Sequence, residues 1–371
     1  VTSSLLWAEQ VFGPKWAEHL AIVHDVATRD DVLAEVYLVG GAVRECIVDF
    51  YQYHASDYSG KRLLDIDCAF VGDFDTFIVA LKKALKPQAV EVSSFMTAVF
   101  HLSDNFSIDF ARCRRESYLH SGALPVVEQA DLRTDAHRRD FSINAIYIPL
   151  KMTLKSPPSD LHSVVIDYVD GLNAFNKGEI EILRPNSLSQ DPTRIFRAVR
   201  YRAMMEHLRG VGTFGLLFYE SFNEAVDGSG DISPLDRVSQ YRKWNELAKC
   251  FECAFPQQSL IGLSRLNLFA NWPPQVDDAS FVKFQYRLER LFQLDDELLR
   301  TKGFLLFVTL WWWSTESHGE TIRRARSEVR IPKNLRRAII KFSPTNNNQS
   351  YDNVNNEFND IIKLAKSLYD T

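Results

Sequence analysis

The sequence predicts an α+β protein: an N-terminal half built on one sheet with helices, then an all-helical C-terminal half. Three observations carry this reading. From Val36 to about Tyr168, short apolar runs alternate with helical stretches such as Phe74–Leu85. After Ser187 the strand signals fade and helical periodicity dominates to the end, which places a sheet before a helical body. The 371 residues amount to two or three domains at roughly 150 residues each, enough to bury a sizeable core.

Composition narrows the class. Apolar residues make up 46% and charged residues 25%, a globular balance that excludes a largely disordered, collagen-like or disulfide-scaffold chain. The longest apolar run, Phe304–Trp313, is about half of what a membrane span requires, so no membrane partner is expected. Five scattered Cys fit a reducing compartment. Cys250 and Cys253 form a lone CxxC without a second pair, which reads as ordinary burial rather than a zinc or redox site. No signal-peptide pattern opens the chain, and the absent initiator Met fits a trimmed start. A cytoplasmic location is expected, or an organellar one if a presequence has been removed. Net charge is −5, which on average argues against nucleic acid. The average hides the stretch from Arg323 to Lys341, where eight Lys/Arg, among them Arg323, Arg324, Arg336 and Arg337, face one acid, Glu328. Such a local excess binds phosphate whatever the total charge, although the run also reads as a solvated helix face.

Taken in order, residues 1–34 read as helix. Val36–Val39 is a strand that ends in Gly40-Gly41, and a helix begins with Ala42-Val43-Arg44. Glycines let backbone N–H groups approach a phosphate, a helix N-terminus favours an anion, and Arg44 adds a positive fork one turn on. Leu63–Phe70 is a second strand. Its period of two puts Asp65 and Asp67 on one face and Leu64, Ile66, Cys68 and Phe70 on the other. Two like charges this close on a largely buried sheet require a cation, and hard oxygen ligands suit Mg²⁺. For the DxD alone, two exposed acids on an edge strand remain the plainer reading; the glycine turn upstream shifts the balance.

Further strands are Ala89–Val92, Thr97–Leu102 and Phe106–Ala111. The last carries Asp109, with Ile108 and Phe110 facing away. If it neighbours the first acidic strand, Asp109 completes a cage of three carboxylates. Such a cage holds two metals, which activate an attacking hydroxyl and stabilise a leaving phosphate oxygen. Next comes Arg138-Arg139-Asp140-Phe141-Ser142-Ile143-Asn144-Ala145, running into the apolar stretch Ile143–Ile148. Two guanidiniums suit a triphosphate and the adjacent Asp suits ribose hydroxyls; a charged helix end before a strand is the alternative.

The helical half opens with a helix start at Ser189-Gln190-Asp191-Pro192, where Ser189 caps and Pro192 is tolerated only in the first turn. Ile195, Ala198, Val199 and Ala203 form its core stripe. Asp191, Arg194, Arg197 and Arg200 recur every three residues and wind around one side. Cytosine and adenine each present an exocyclic amino donor beside a ring-nitrogen acceptor. A carboxylate with a guanidinium complements that pair, whereas uracil and guanine would leave both groups unpaired. Loops follow at Asp227–Ser233 and Pro273-Pro274. Ser343–Asn356 is Asn-rich and reads as a loop, and Glu357–Tyr369 as a short amphipathic helix.

In this order and spacing, GGAVR, LDID, IDFARCRRESY, RRDFSINA and QDPTRIFRAVRY resemble the class II tRNA nucleotidyltransferases, the CCA-adding enzymes of the polymerase-β-like superfamily, to which bacterial poly(A) polymerases are related. The resemblance covers roughly residues 36–250, with a weaker neck-like segment Ser239–Leu247. It implies a polymerase-β-like head, then a helical neck, body and tail. The expected divisions are an N-terminal helical segment 1–35, the catalytic head 36–170, the neck 171–255 and a tRNA-binding body and tail 256–371. By resemblance, Asp65 and Asp67 bind two catalytic Mg²⁺; Asp109 is added as a catalytic acid by its place on the neighbouring strand. Gly40, Gly41 and Arg44 hold the triphosphate of ATP or CTP. Arg138, Arg139, Asp140 and Asn144 contact phosphate and ribose. Asp191 and Arg194 read the base, supported by Arg197 and Arg200. The partner is the tRNA acceptor stem and 3′ end.

Three departures stand out: Glu45 where the family usually has Asp, Gln190 where Glu usually precedes the base-reading Asp, and a polar insertion at residues 51–60. An A-adding or a CC-adding enzyme would use the same motifs; a bacterial poly(A) polymerase is also related, but its usual extra basic signature before the metal-binding strand is not evident. The segment between Arg114 and Arg138 is long enough for the loop that the family's switch to A addition needs, which disfavours a pure CC-adding enzyme. A non-catalytic tRNA-binding protein is the rival of a different class, opposed by the intact Asp65, Asp67 and Arg194.

Overall fold

The apolar runs of the N-terminal half form the expected sheet. The computed structural model describes residues 5–51, 65–103, 106–117, 125–209, 215–217, 234–253, 255–266, 268–271, 291, 294, 303–304, 306–308 and 311. The chain divides into two compact units, Val1–Gln190 with Leu208–Tyr219, and Asp191–His207 with Glu220–Thr371.

In the first unit, besides a small parallel pair of Glu179–Glu181 with Gly215–Leu217, the strands are β1 (Glu35–Val39), β2 (Asp65–Val71), β3 (Ala89–Ser93), β4 (Thr97–Ser103), β5 (Phe106–Arg112), β6 (Arg114–Ser117), β7 (Val126–Gln129), β8 (Ile146–Pro149) and β9 (Ile166–Asp167). Seven of them make one sheet in the order β3-β4-β5-β2-β1-β8-β9. Only β2 and β5 run parallel; the other neighbours are antiparallel. β6 and β7 form a separate antiparallel hairpin. It is not legible in the sequence, because its four-residue strands are charged and mostly exposed.

Helices cover this sheet. The expected N-terminal helix is two, α1 (Trp7–Phe12) and α2 (Pro14–Ala27), because Gly13 takes φ 92° and Pro14 restarts the helix. α3 (Gly41–Tyr51) follows β1 directly, and α4 (Phe74–Leu85) follows β2. Asp73 caps α4 by accepting from the Thr76 N–H at 2.9 Å. The return from β2 to β5 passes through α4 and the β3–β4 hairpin, which lets two non-consecutive strands lie parallel.

The apolar face of this pair is a ring cluster. Phe77 of α4 lies 4.6 Å from Phe70 and 5.7 Å from Phe110, and Phe110 lies 5.3 Å from Phe100. All four rings are fully buried. Truncating any one would cost about 3–5 kcal/mol, so the backbone register of β2 against β5 is strongly held.

The expected strand Ile143–Ile148 is only partly a strand. Its first residues form a single 3₁₀ turn, Ser142–Asn144, before β8 begins. The helix Gly171–Lys177 packs on that turn. Its N-terminus is fixed by Asp167, whose carboxylate accepts from the N–H groups of Val169, Gly171 and Leu172.

In the second unit the helices Arg194–Arg209, Gln240–Glu252 and Pro256–Arg265 dominate the described residues. Ser239 caps the second by accepting from Arg242 N–H at 3.3 Å. Trp244 packs against Trp311 at 4.8 Å and Phe307 at 6.2 Å, and Phe251 against Phe307 at 5.8 Å. Leu306, Phe307, Val308 and Trp311 of the apolar run therefore contribute to a core. Among the described residues no helix is long and apolar enough to cross a membrane. In the lone CxxC, Cys250 is buried and Cys253 half-buried: the Cys253 thiol donates to the Cys250 carbonyl at 3.1 Å, and none of the five cysteines forms a disulfide. The 51–60 insertion beyond Tyr51, the loops at 227–233 and 273–274, the Asn-rich 343–356 segment and the 357–369 helix lie outside the described residues.

The contact of Gly171 with the 3₁₀ turn gives a test. A Cβ there would overlap the Ser142 carbonyl oxygen and press on Ile146. Gly171→Ala is expected to lower stability by about 1–3 kcal/mol through overpacking, read by urea denaturation.

Candidate active site

The parallel pairing sets Asp67 directly opposite Asp109 and Asp65 opposite Ser107. Ile66, Cys68, Ile108 and Phe110 are buried on the other face, so the sheet gathers the three carboxylates on one side. The Ser107 hydroxyl donates to Asp65 Oδ1 at 2.6 Å. Gly40, at φ 65°, closes the cluster from the end of β1: a Cβ there would sit 3.1 Å from Asp67 Oδ2. Only glycine allows this backbone to turn so close to that carboxylate.

These acids repel one another. Burial, then the charges of Asp67 and Asp65, push the Asp109 carboxyl up to about 6. Its Oδ1 is buried without a hydrogen-bond partner. A hard divalent cation would relieve both conditions, so the residues fit Mg²⁺ on Asp65 and Asp67. Among the described residues no group of three His, Cys, Asp or Glu is gathered tightly enough to hold an ion alone. Mg²⁺ does not need one, since it binds one or two carboxylates and completes its shell with water and substrate phosphate.

The other expected residues are drawn into internal contacts. Gly41 is the first residue of α3. Arg44 is buried and donates to Asn144 Oδ1. Asn144 Nδ2 in turn donates to Asp140 Oδ1 at 3.1 Å, which also accepts from Phe141 N–H at 2.9 Å. The glycine-turn and RRD motifs thus meet through Arg44, Asn144 and Asp140.

Arg138 and Arg139 converge on an acid that sequence reasoning missed, Asp135 in the helix α5 (Leu132–Arg138). Arg138 donates Nε and Nη2 to Asp135 Oδ1, at 2.9 and 2.7 Å, and Nη1 to Glu116 at 2.7 Å. Arg139 meets Asp135 Oδ2 through Nε at 3.1 Å and Nη2 at 2.9 Å. The Tyr147 hydroxyl donates to the same oxygen at 2.7 Å and accepts from Arg139 Nε at 2.8 Å. Burial alone would raise the Asp135 carboxyl; Arg139 and Arg138 overcome it and hold it at about 2. The spacing of Asp135 to Arg138 and Arg139, i to i+3 and i+4, is the signal available in the sequence.

In the second unit, Asp191 does not start the helix as expected. Ser187–Gln190 is a short helix of its own, and the long helix begins at Arg194, because Pro192 has no N–H to continue the ladder. Asp191 Oδ1 accepts from Thr193 N–H at 3.2 Å, Thr193 Oγ1 at 2.6 Å and Arg242 Nη2 at 3.1 Å. Its Oδ2 makes none of these bonds. Arg194 is buried in the first turn. Arg197 donates to the Tyr201 hydroxyl at 3.1 Å, and Arg200 to Glu246 at 3.3 Å. Arg323, Arg324, Arg336 and Arg337 lie outside the described residues, as do residues 118–124 of the segment expected to hold the A-addition loop.

Asp109 yields a prediction with a definite sign. Its folded carboxyl stands near 6, above its ordinary 3.8, so the folded state holds the proton more tightly. This contribution favours folding below pH 4 and is lost as pH rises through 6. Without divalent cation, Asp109→Asn is expected to be more stable than wild type above pH 6 by about 1 kcal/mol, a figure reduced for partial exposure. The gap should close toward pH 4. Denaturation across pH 4–8 measures it.

Residues 36–181 match the family model of the poly A polymerase head domain. The A-adding tRNA nucleotidyltransferase of Geobacter sulfurreducens is 27% identical over 239 residues, 64% of this chain and 24% of that protein. The CC-adding tRNA nucleotidyltransferase of Deinococcus radiodurans is 30% identical over 198 residues, 53% of this chain and 48% of that protein. The chain spans less than half the length of both. The structure of the Thermotoga maritima CCA-adding enzyme complexed with tRNA aligns with a TM-score of 0.61 at 23% identity, covering 90% of this chain and 71% of that one, a likeness of fold. The matched stretch opens with β1 and contains every other strand of the seven-stranded sheet, so it is this sheet that is similar to the poly A polymerase head domain.

Proposed function

We propose that this chain is a tRNA nucleotidyltransferase that adds C and A residues to the tRNA 3′ end from CTP and ATP, without a nucleic-acid template. The observation that carries the reading is the pairing of Asp67 with Asp109, with Asp65 on the same face, beside the Gly40 turn. The terminal 3′-oxygen attacks the α-phosphorus in line. The bond from that phosphorus to the bridging oxygen breaks, and pyrophosphate leaves. Asp65 and Asp67 would hold Mg²⁺, which when bound would supply Lewis-acid stabilisation of the developing charge. Ser107 orients Asp65, and the Gly40 turn keeps backbone close to Asp67. Asp140, held by Asn144, is the group suited to ribose hydroxyls.

Base choice is assigned to Asp191 and Arg194. Thr193 and Arg242 fix Asp191 through Oδ1, which leaves Oδ2 to accept from the exocyclic amino group of C or A. The partner is tRNA, with the basic Arg323–Lys341 run proposed to contact its backbone.

The test offers tRNA ending before the first C, after the first C and after the second C, each with one labelled triphosphate at a time. Incorporation at all three stages supports full CCA addition. Incorporation at only the last identifies an A-adding enzyme, and at only the first two a CC-adding one. Continued A addition would identify a poly(A) polymerase, and tRNA binding without any incorporation a non-catalytic protein. Asp67→Ala should abolish incorporation while tRNA affinity stays near wild type. Near-normal turnover of that variant in Mg²⁺ would sink the metal assignment.

Base reading is tested separately. Asp191→Ala should relax discrimination against UTP and GTP by about 1–3 kcal/mol, the size of one good bidentate contact. Unchanged misincorporation would move base reading to other residues.

A further inference from the structure

The charge network around Asp135 divides its guanidiniums into two kinds. Arg138 has all three nitrogens engaged, two on Asp135 and one on Glu116. Arg114 shares the same Glu116 oxygen through Nε and Nη2, at 3.1 and 3.0 Å. Arg139 is different. Its Nε and Nη2 are spent on Asp135 and Tyr147, whereas Nη1 makes no hydrogen bond among the described residues, and the side chain keeps 16% exposure. Among the described residues three guanidiniums meet two carboxylates here, a local excess of positive charge in a poorly solvated place.

The sheet register locates this surplus. Ala69 lies two residues from Asp67 on β2 and opposite Tyr37 on β1. Val39, two residues from Tyr37, lies opposite Tyr147 on β8. By the period of two, Asp67 and Tyr147 share one face of the sheet, with β1 between their strands. At ordinary strand spacing that is roughly 10 Å. An anionic triphosphate spanning the two clusters would meet carboxylates with cations at one end and this surplus at the other.

We propose that Asp135, with Tyr147, is a positioning residue that clamps Arg139 so that Nη1 is presented to the triphosphate, while Arg138 is an internal strut tying α5 to β6. This assignment rests on the nucleotidyltransferase reading. Tyr147 holds Arg139 from one side and Asp135 from the other, so the fork loses its rotamer freedom before substrate arrives.

The experiment compares Arg139→Lys, Arg138→Lys, Tyr147→Phe and Asp135→Asn in the full chain. Direct binding of CTP and ATP without tRNA is measured beside KM for each substrate and the thermal midpoint. Arg139→Lys should weaken triphosphate binding about tenfold, the scale of losing a charged hydrogen bond. Tyr147→Phe should weaken it about threefold with little change in midpoint, because the ring is kept while the fork loosens. Arg138→Lys should lower the midpoint yet leave triphosphate affinity within about twofold of wild type, since it loses only internal bonds. KM for tRNA should stay constant throughout.

Equal weakening by Arg138→Lys and Arg139→Lys would overturn the division of labour. Unchanged triphosphate affinity in Tyr147→Phe would reduce the clamp to a structural device. If Asp135→Asn does not fold, the other three variants decide. A wild-type chain that binds triphosphate but incorporates nothing would overturn the functional reading and leave the clamp standing on the binding data.

Discussion

The parallel contact between β2 and β5 is the constraint on which the head depends. It sets Asp67 against Asp109 and brings Asp65 within reach of Ser107. Parallel neighbours cannot be joined by a tight turn. The chain therefore places α4 and a whole hairpin between them, and α4 in turn inserts Phe77 between Phe70 and Phe110. The same two strands thus carry the most repulsive face of the sheet and one of its best-packed faces. The apolar side holds a register that the carboxylate side, left to itself, would oppose.

That opposition is local and is answered locally. Burial and neighbouring charge keep Asp109 near 6, while the guanidiniums beside Asp135 keep its carboxyl near 2. A half-buried and a fully buried acid in one unit are displaced in opposite directions by what faces them. Burial and like charge set the first displacement, and two adjoining guanidiniums set the second. Under the proposed function, a metal-bound triphosphate would bring charge of both signs and so complement the site at both ends.

Much of this arrangement is legible in the chain's local patterns. The DxD alternation, the glycine turn, Asp109 and the RRD segment all carry local signals: period two, a strand end, a charged run before a strand. The strand limits follow the apolar runs closely, and α4 matches residue for residue. What is not legible depends on pairing between distant segments. The β6–β7 hairpin has charged, exposed strands without apolar alternation. The turn at Ser142–Asn144 is hidden inside a run that reads as strand. The inward turn of Arg44 toward Asn144, 100 residues away, leaves no trace in local spacing. Asp135 is the instructive case. Its i to i+3 and i+4 relation to two arginines is visible, but a helix-surface ion pair and a buried clamp look identical until burial is known.

This difference changes what an arginine pair before an Asp means. Read as sequence, Arg138 and Arg139 are equivalent phosphate ligands. In the fold, both residues point nitrogens at Asp135 and only Arg138 also reaches Glu116, and five donors per guanidinium leave room for one residue to act as strut while the other keeps a donor in hand. A Lys at Arg138 would preserve the charge but lose the fork that joins Asp135 to Glu116. A Lys at Arg139 would lose the ability to be held and to donate at once. The motif therefore demands guanidinium at both positions for two separate reasons, one concerning the stability of the network and one concerning the anion beyond it.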